Sequence, residues 1–164
     1  MSPRKTVLNR SERGAATVEF ALVAMIFFTV LFSIVDFSYL LFINLTMQHA
    51  VREGARYAVT GRADLDPTPD PSNPVQSRYD AAIEEMKESS MGFWDTVAPV
   101  VSFKYMSDAG TIVALSANSA GSASEILIIS LHCTAATLTP FTRAFFATGN
   151  YQFDVSATMR TEAY

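Results

Sequence analysis

A chain of 164 residues with 12 basic and 16 acidic side chains has room for about one domain and carries a formal charge of −4. That balance excludes the broad cationic surface by which proteins hold nucleic acid, and a single cysteine, Cys133, excludes an internal disulfide. A hydrophobic fraction of 49% is ordinary for a globular chain, so the class is decided by where those residues lie.

The first fourteen residues form a basic leader, with Arg4, Lys5, Arg10 and Arg13 against one acid, Glu12. Residues 20–35 follow without a charge, interrupted only by the hydroxyls of Thr29 and Ser33. From Ala15 to Asp36 the chain takes 21 steps, about 32 Å of helix, close to the ~30 Å hydrocarbon core of a bilayer. Residues 15–36 therefore read as a transmembrane helix, with Glu19 and Asp36 bracketing one bilayer. The basic leader places the N-terminus in the cytoplasm and everything after the span outside it. A cleaved secretory signal has an apolar core of only about 7 to 15 residues, so this longer segment is expected to be retained. Glu19 needs a reason, because a carboxylate at the bilayer centre costs roughly 2.5 to 3.5 kcal/mol. Its place about 6 Å along the helix from Ala15 puts it near the inner interface instead.

The text Arg13-Gly14-Ala15-Ala16-Thr17-Val18-Glu19-Phe20, with its glutamate five residues past a glycine, resembles the class III leader of type IV pilin-like proteins. The run on to Ala21-Leu22 and the later Val51-Arg52-Glu53-Gly54-Ala55-Arg56-Tyr57-Ala58 are similar to TadE-like minor pilins of the Tad (Flp) pilus system, with a weaker likeness at 159–162. Flp-type sites typically place tyrosine after the glutamate, where this chain has Phe20. The resemblance implies a membrane-anchored prepilin-like minor pilin or pseudopilin of the bacterial inner membrane. A prepilin peptidase would cut between Gly14 and Ala15, and Glu19 would register the subunit against the new terminal amine of a neighbour. Its partners would be that peptidase, other pilin-like subunits, the pilus assembly machinery and the membrane. Without residues 1–14, eight basic residues face fifteen acidic ones, a formal charge of −7, which makes an acidic ectodomain and no partner of nucleic acid.

Beyond the span the helix is expected to continue over residues 37–60, since Leu40, Asn44, Met47, Val51, Gly54, Ala55 and Ala58 recur at steps of three and four. The small residues Ala50, Gly54, Ala55 and Ala58 allow close helix packing, either against other subunits or against the chain's own domain. Thr60-Gly61 supplies the stop. Residues 61–76 form a linker with four prolines in eight positions. Its Asp64, Asp66 and Asp70 lack the spacing of a calcium loop, and no metal site is expected.

Residues 77–164 read as an α+β ectodomain, a second helix followed by an antiparallel sheet of about four strands. The helix carries the stripe Tyr79, Ala82, Ile83 and Met86 and ends near Gly92. The cluster Met91-Gly92-Phe93-Trp94 anchors that end to the core or offers its Trp to another subunit. Strands are expected over 97–106 and 111–115, joined by a turn at 107–110, over 125–135, and from Tyr151 onward. Alternation puts Leu127, Ile129, Leu131 and Cys133 on one face of the third strand, and Ile126, Ile128, Ser130 and His132 on the other. Residues 140–146 make a short apolar helix or loop.

Catalysis finds no constellation. The histidines are His49 on the long helix and His132 on a strand, Cys133 and His132 should point to opposite faces, and no phosphate loop or zinc spacing occurs. No catalytic residue, cofactor or metal is expected. Two rivals stay open: an uncleaved single-pass protein whose ectodomain binds a ligand or partner, and a membrane-tethered hydrolase built on His132 or His49.

Overall fold

The computed structural model describes residues 10–107, 110–115, 119–122, 125–146 and 148–162, with backbone alone for 10–13. The Arg4 and Lys5 end of the leader lies outside them. One helix, α1, runs unbroken over Arg10–Val59, about 75 Å at 1.5 Å per residue, and starts five residues before Ala15. It stops where the sequence says: Gly61 takes φ of +72°, and Thr60 and Gly61 donate to the carbonyls of Tyr57 and Ala58.

Two more helices follow, one packed on the second half of α1 and a short one against the third strand of the sheet. The linker hands over to α2, Pro74–Ser89, three residues earlier than the apolar stripe implies. Asn73 caps it through its side-chain oxygen, and Pro74 sits in the first turn, where its missing N–H costs nothing. A single turn, α3, Trp94–Val97, follows where the sequence had the first strand beginning. Phe93 and Trp94 lie half-buried against the core, while Met91 is exposed.

The sheet has four antiparallel strands, β1 Val100–Met106, β2 Ile112–Ala114, β3 Ile126–Ala136 and β4 Asn150–Arg160, in the order β2-β1-β3-β4. The β3–β4 connection carries a last short helix, α4, Pro140–Arg143. The alternation of β3 is as expected: Leu127, Ile129, Leu131, Cys133 and Ala135 are buried and His132 is exposed. Their buried face, with Phe153, Val155 and Ala157 of β4, packs on α1 and α2.

The core takes in Leu40, Ile43, Met47 and Val51 of α1, so the second half of the long helix and the ectodomain share one hydrophobic interior. The chain's far end closes it, since Glu162 N–H donates to Val59 O at 3.0 Å and Thr161 N–H to Glu125 O at 2.8 Å.

Candidate membrane and subunit interface

Among the described residues, no side chain of the N-terminal half of α1 up to Val35 is buried. Between Val18 and Val35 its large apolar side chains are exposed on every side, among them Phe20, Ile26, Phe27, Phe28 and Phe32. A helix apolar all round and buried by nothing of its own is built for lipid or for other helices. Mean hydropathy reaches 2.5 over its most apolar 18 residues, and α1 is long and apolar enough to cross a membrane. Its hydroxyls are already satisfied: Thr29 Oγ1 donates to Met25 O at 2.8 Å, Ser33 to Thr29 O at 2.8 Å and Ser38 to Ile34 O at 2.7 Å. Such back-bonding leaves no hydroxyl in need of water inside hydrocarbon.

Gly14 and Ala15 lie within this helix, exposed, with open space where a Cβ on Gly14 would be. Glu19 is exposed one turn further, and among the described residues no ion pair engages it. The structure thus leaves both positions facing outward and brings them to no other part of the chain.

Asp36, at the end of the uncharged run, is held within the protein. It is fully buried, covered by residues 138–142. Its carboxylate accepts from Leu138 N–H at 2.8 Å, from Thr139 N–H at 3.2 Å and from the hydroxyls of Thr139 and Thr142. Those amides immediately precede α4, so the acid of one helix ties down the entry to another more than a hundred residues away. The charge is met inside the protein and presents nothing to lipid or water. A lone acid closing an apolar run was the available signal, but Thr139 and Thr142 could not be matched to it from sequence.

The small residues make a close approach inside the chain. Ala50, Gly54, Ala55 and Ala58 are all buried. A Cβ on Gly54 would stand 2.1 Å from Met86 Cγ and 3.0 Å from Ala82 O, so the absence of a side chain is what lets α2 lie on α1. This face is spent on the chain's own domain.

The chemistry-bearing residues lie apart. His132 Nδ1 pairs with Asp154 Oδ1 at 2.7 Å on the solvent face of the sheet, where both side chains are more than half exposed. Cys133 faces the opposite way, fully buried, and burial with the nearby charge of Asp154 pushes its thiol up to about 12. His49 is exposed on α1. In the linker Asp64 takes a bidentate pair from Arg62 and a hydrogen bond from Tyr57 at 2.6 Å, which hold its carboxyl down to about 2. Asp66 accepts from Thr68 N–H and Asp70 from Ser72, so the three carboxylates serve three separate turns.

A family profile described as "TadE-like protein" matches residues 14–56. The matched segment begins at the glycine of the leader junction and ends three residues short of the end of α1. No curated protein and no solved structure matches the chain. The long helix that carries both the exposed apolar half and the buried small-residue face is thus the TadE-like part of the molecule.

Proposed function

We propose that this protein is a membrane-anchored, pilin-like minor subunit of a Tad-type pilus assembly system, made with a leader that a prepilin peptidase removes after Gly14. The observation that carries the reading is the division of the TadE-like helix into a half exposed and apolar and a half that belongs to the core of a packed domain. In this mechanism the exposed half anchors the subunit in the inner membrane before assembly and packs against other subunits' helices afterwards. Bundling falls to this half because the small-residue face further along is already covered by α2.

Each proposed site residue has a part. The peptide bond after Gly14 is helical, so a peptidase must unwind the first turns of α1, and a helix-interior glycine makes that easier by roughly 0.5–1 kcal/mol relative to alanine. Cleavage would free the amine of Ala15, one turn from Glu19. In a bundle of parallel helices Glu19 would then pair with the amine of an adjacent copy, where low dielectric strengthens the attraction and penalises any other register. The four cations of the leader hold the N-terminus in the cytoplasm until it is cut.

The experiment is the intact mass and N-terminal sequence of membrane-extracted protein, made with its own export machinery, beside Gly14→Ala and Glu19→Ala. The reading expects a wild-type chain beginning at Ala15 and a full-length Gly14→Ala chain. A wild-type chain that keeps residues 1–14 while the same peptidase cuts another substrate would overturn it in favour of the uncleaved single-pass protein with a partner-binding ectodomain.

A further inference from the structure

If α1 crosses a bilayer from near Glu19, a core of about 30 Å ends some twenty residues later, close to Tyr39. The apolar surface of α1 does not end there: Leu41, Phe42 and Leu45 are exposed as well. Beside that upper stretch stands a second apolar element. Leu138, Phe141 and Phe145, in the β3–β4 connection, are 55%, 45% and 72% exposed, and Phe141 and Phe145 pack edge to face at 5.5 Å. The two rings flank a shallow groove whose floor on α1 includes Thr29, Ile34, Phe37 and Leu41. Most of that floor lies below the level of Tyr39, within the length any such span must keep in hydrocarbon.

We infer that the β3–β4 connection, over residues 137–146, is a second membrane contact, which seats Leu138, Phe141 and Phe145 in the outer leaflet beside α1. The inference rests on reading α1 as a membrane span. Three observations favour lipid as the occupant. The exposed rings are continuous with the lipid-type surface of α1. Residues 137–149 contain no acid, and their one charge is the exposed cation Arg143, in a chain that is otherwise acidic after the leader. Arg143 lies over Gly149, where a Cβ would meet its Nε at 3.0 Å, so its stem runs back towards the sheet, as a snorkelling cation's does.

Asp36 is the clamp. By tying down the entry to α4 it fixes the connection to α1, so the domain is held to the bilayer at two points and its tilt on the membrane is set before any partner arrives. A single helix would leave the domain free to rotate about the helix axis.

The test places one nitroxide label at a time on full-length protein reconstituted in phosphatidylcholine–phosphatidylglycerol vesicles, through Phe145→Cys, Phe27→Cys or Ser156→Cys. Cys133 is buried and its thiol stays protonated, so the unsubstituted chain serves as the unlabelled control. Collisions with oxygen, which concentrates in lipid, are compared with those of a water-soluble nickel chelate. The expected result is label 27 deep in the bilayer, label 156 in water, and label 145 open to oxygen and several-fold protected from nickel, at a shallower depth than 27. Nickel access at 145 equal to that at 156, with 27 still protected, would overturn the inference and leave the span intact. Exclusion of both reagents at 145 would overturn it in favour of a second copy of the chain in the groove. Nickel access at 27 would remove the span, and this inference with it.

Discussion

The two halves of α1 share one backbone geometry and differ in everything that surrounds it. From Gly14 to Val35 no described residue of the helix is buried, whereas from Asp36 to Val59 it is the spine of a packed domain. The lesson is that helix formation and helix environment are separate questions. The first half reads as apolar on all sides, and the second as a stripe at steps of three and four with polar residues between. Only the second pattern commits a face to the chain's own core, so only that half acquires partners within the molecule.

The largest expected contrast comes from one truncation in each half. Met47 is fully buried, and Met47→Ala should lower the stability of the domain by about 2–5 kcal/mol, whereas Phe27→Ala should leave it unchanged. Thermal unfolding of both variants in detergent, followed by near-ultraviolet circular dichroism, checks the contrast. Equal losses would mean that the exposed half packs on the domain after all.

Asp36 sits on the boundary, and its removal sharpens the comparison from the other side. Asp36→Ala leaves the part-buried amides of Leu138 and Thr139 without their acceptor, which should cost about 1 kcal/mol and loosen the β3–β4 connection. Hydrogen exchange at those two amides should accelerate while that of β3 amides near Leu131 stays slow. If the two amides exchanged at the wild-type rate, Asp36 would not be holding the connection.

A smaller effect marks the far end of the second half. The folded carboxyl of Asp64 is held at about 2, below its ordinary value of 3.8, chiefly by Arg62 and then by Tyr57. A depressed acid contributes stability that is complete above its ordinary value and lost as pH falls towards its folded one. The acid limb of stability between about pH 4 and pH 2 should therefore be slightly shallower in Asp64→Asn, with water screening the exposed pair to a small difference. An unchanged limb would show that the turn after α1 is held by Gly61 and its backbone bonds alone.

Much of this was legible before any coordinates, and the reasons are local. The α1 stop at Thr60-Gly61, the alternation of β3 and the burial of Cys133 follow from side-chain type and spacing over a few residues. The start of α2 was misplaced because proline is read first as a helix breaker, although after Asn73 it sits in the first turn, where a helix tolerates it. The first strand begins at Val100 rather than Val97, because Val97 closes the α3 turn although its composition suits a strand. Of the candidate site, Gly14, Ala15 and Glu19 stand out as sequence and remain exposed in the structure, whereas the partners of Asp36 are not legible from its neighbours.

By itself the sequence determined the long apolar helix, because its length and lack of charge are properties of a single segment. It also determined that a helix and an antiparallel sheet follow, because periodicities of 3.6 and 2 are written in neighbouring residues. Only the tertiary structure decided what the small-residue face packs against and what becomes of the acid at position 36. Those answers depend on Met86 meeting Gly54 and on Thr139 and Thr142 meeting Asp36, pairs brought together by the burial of a shared core and by a buried charge's need for donors.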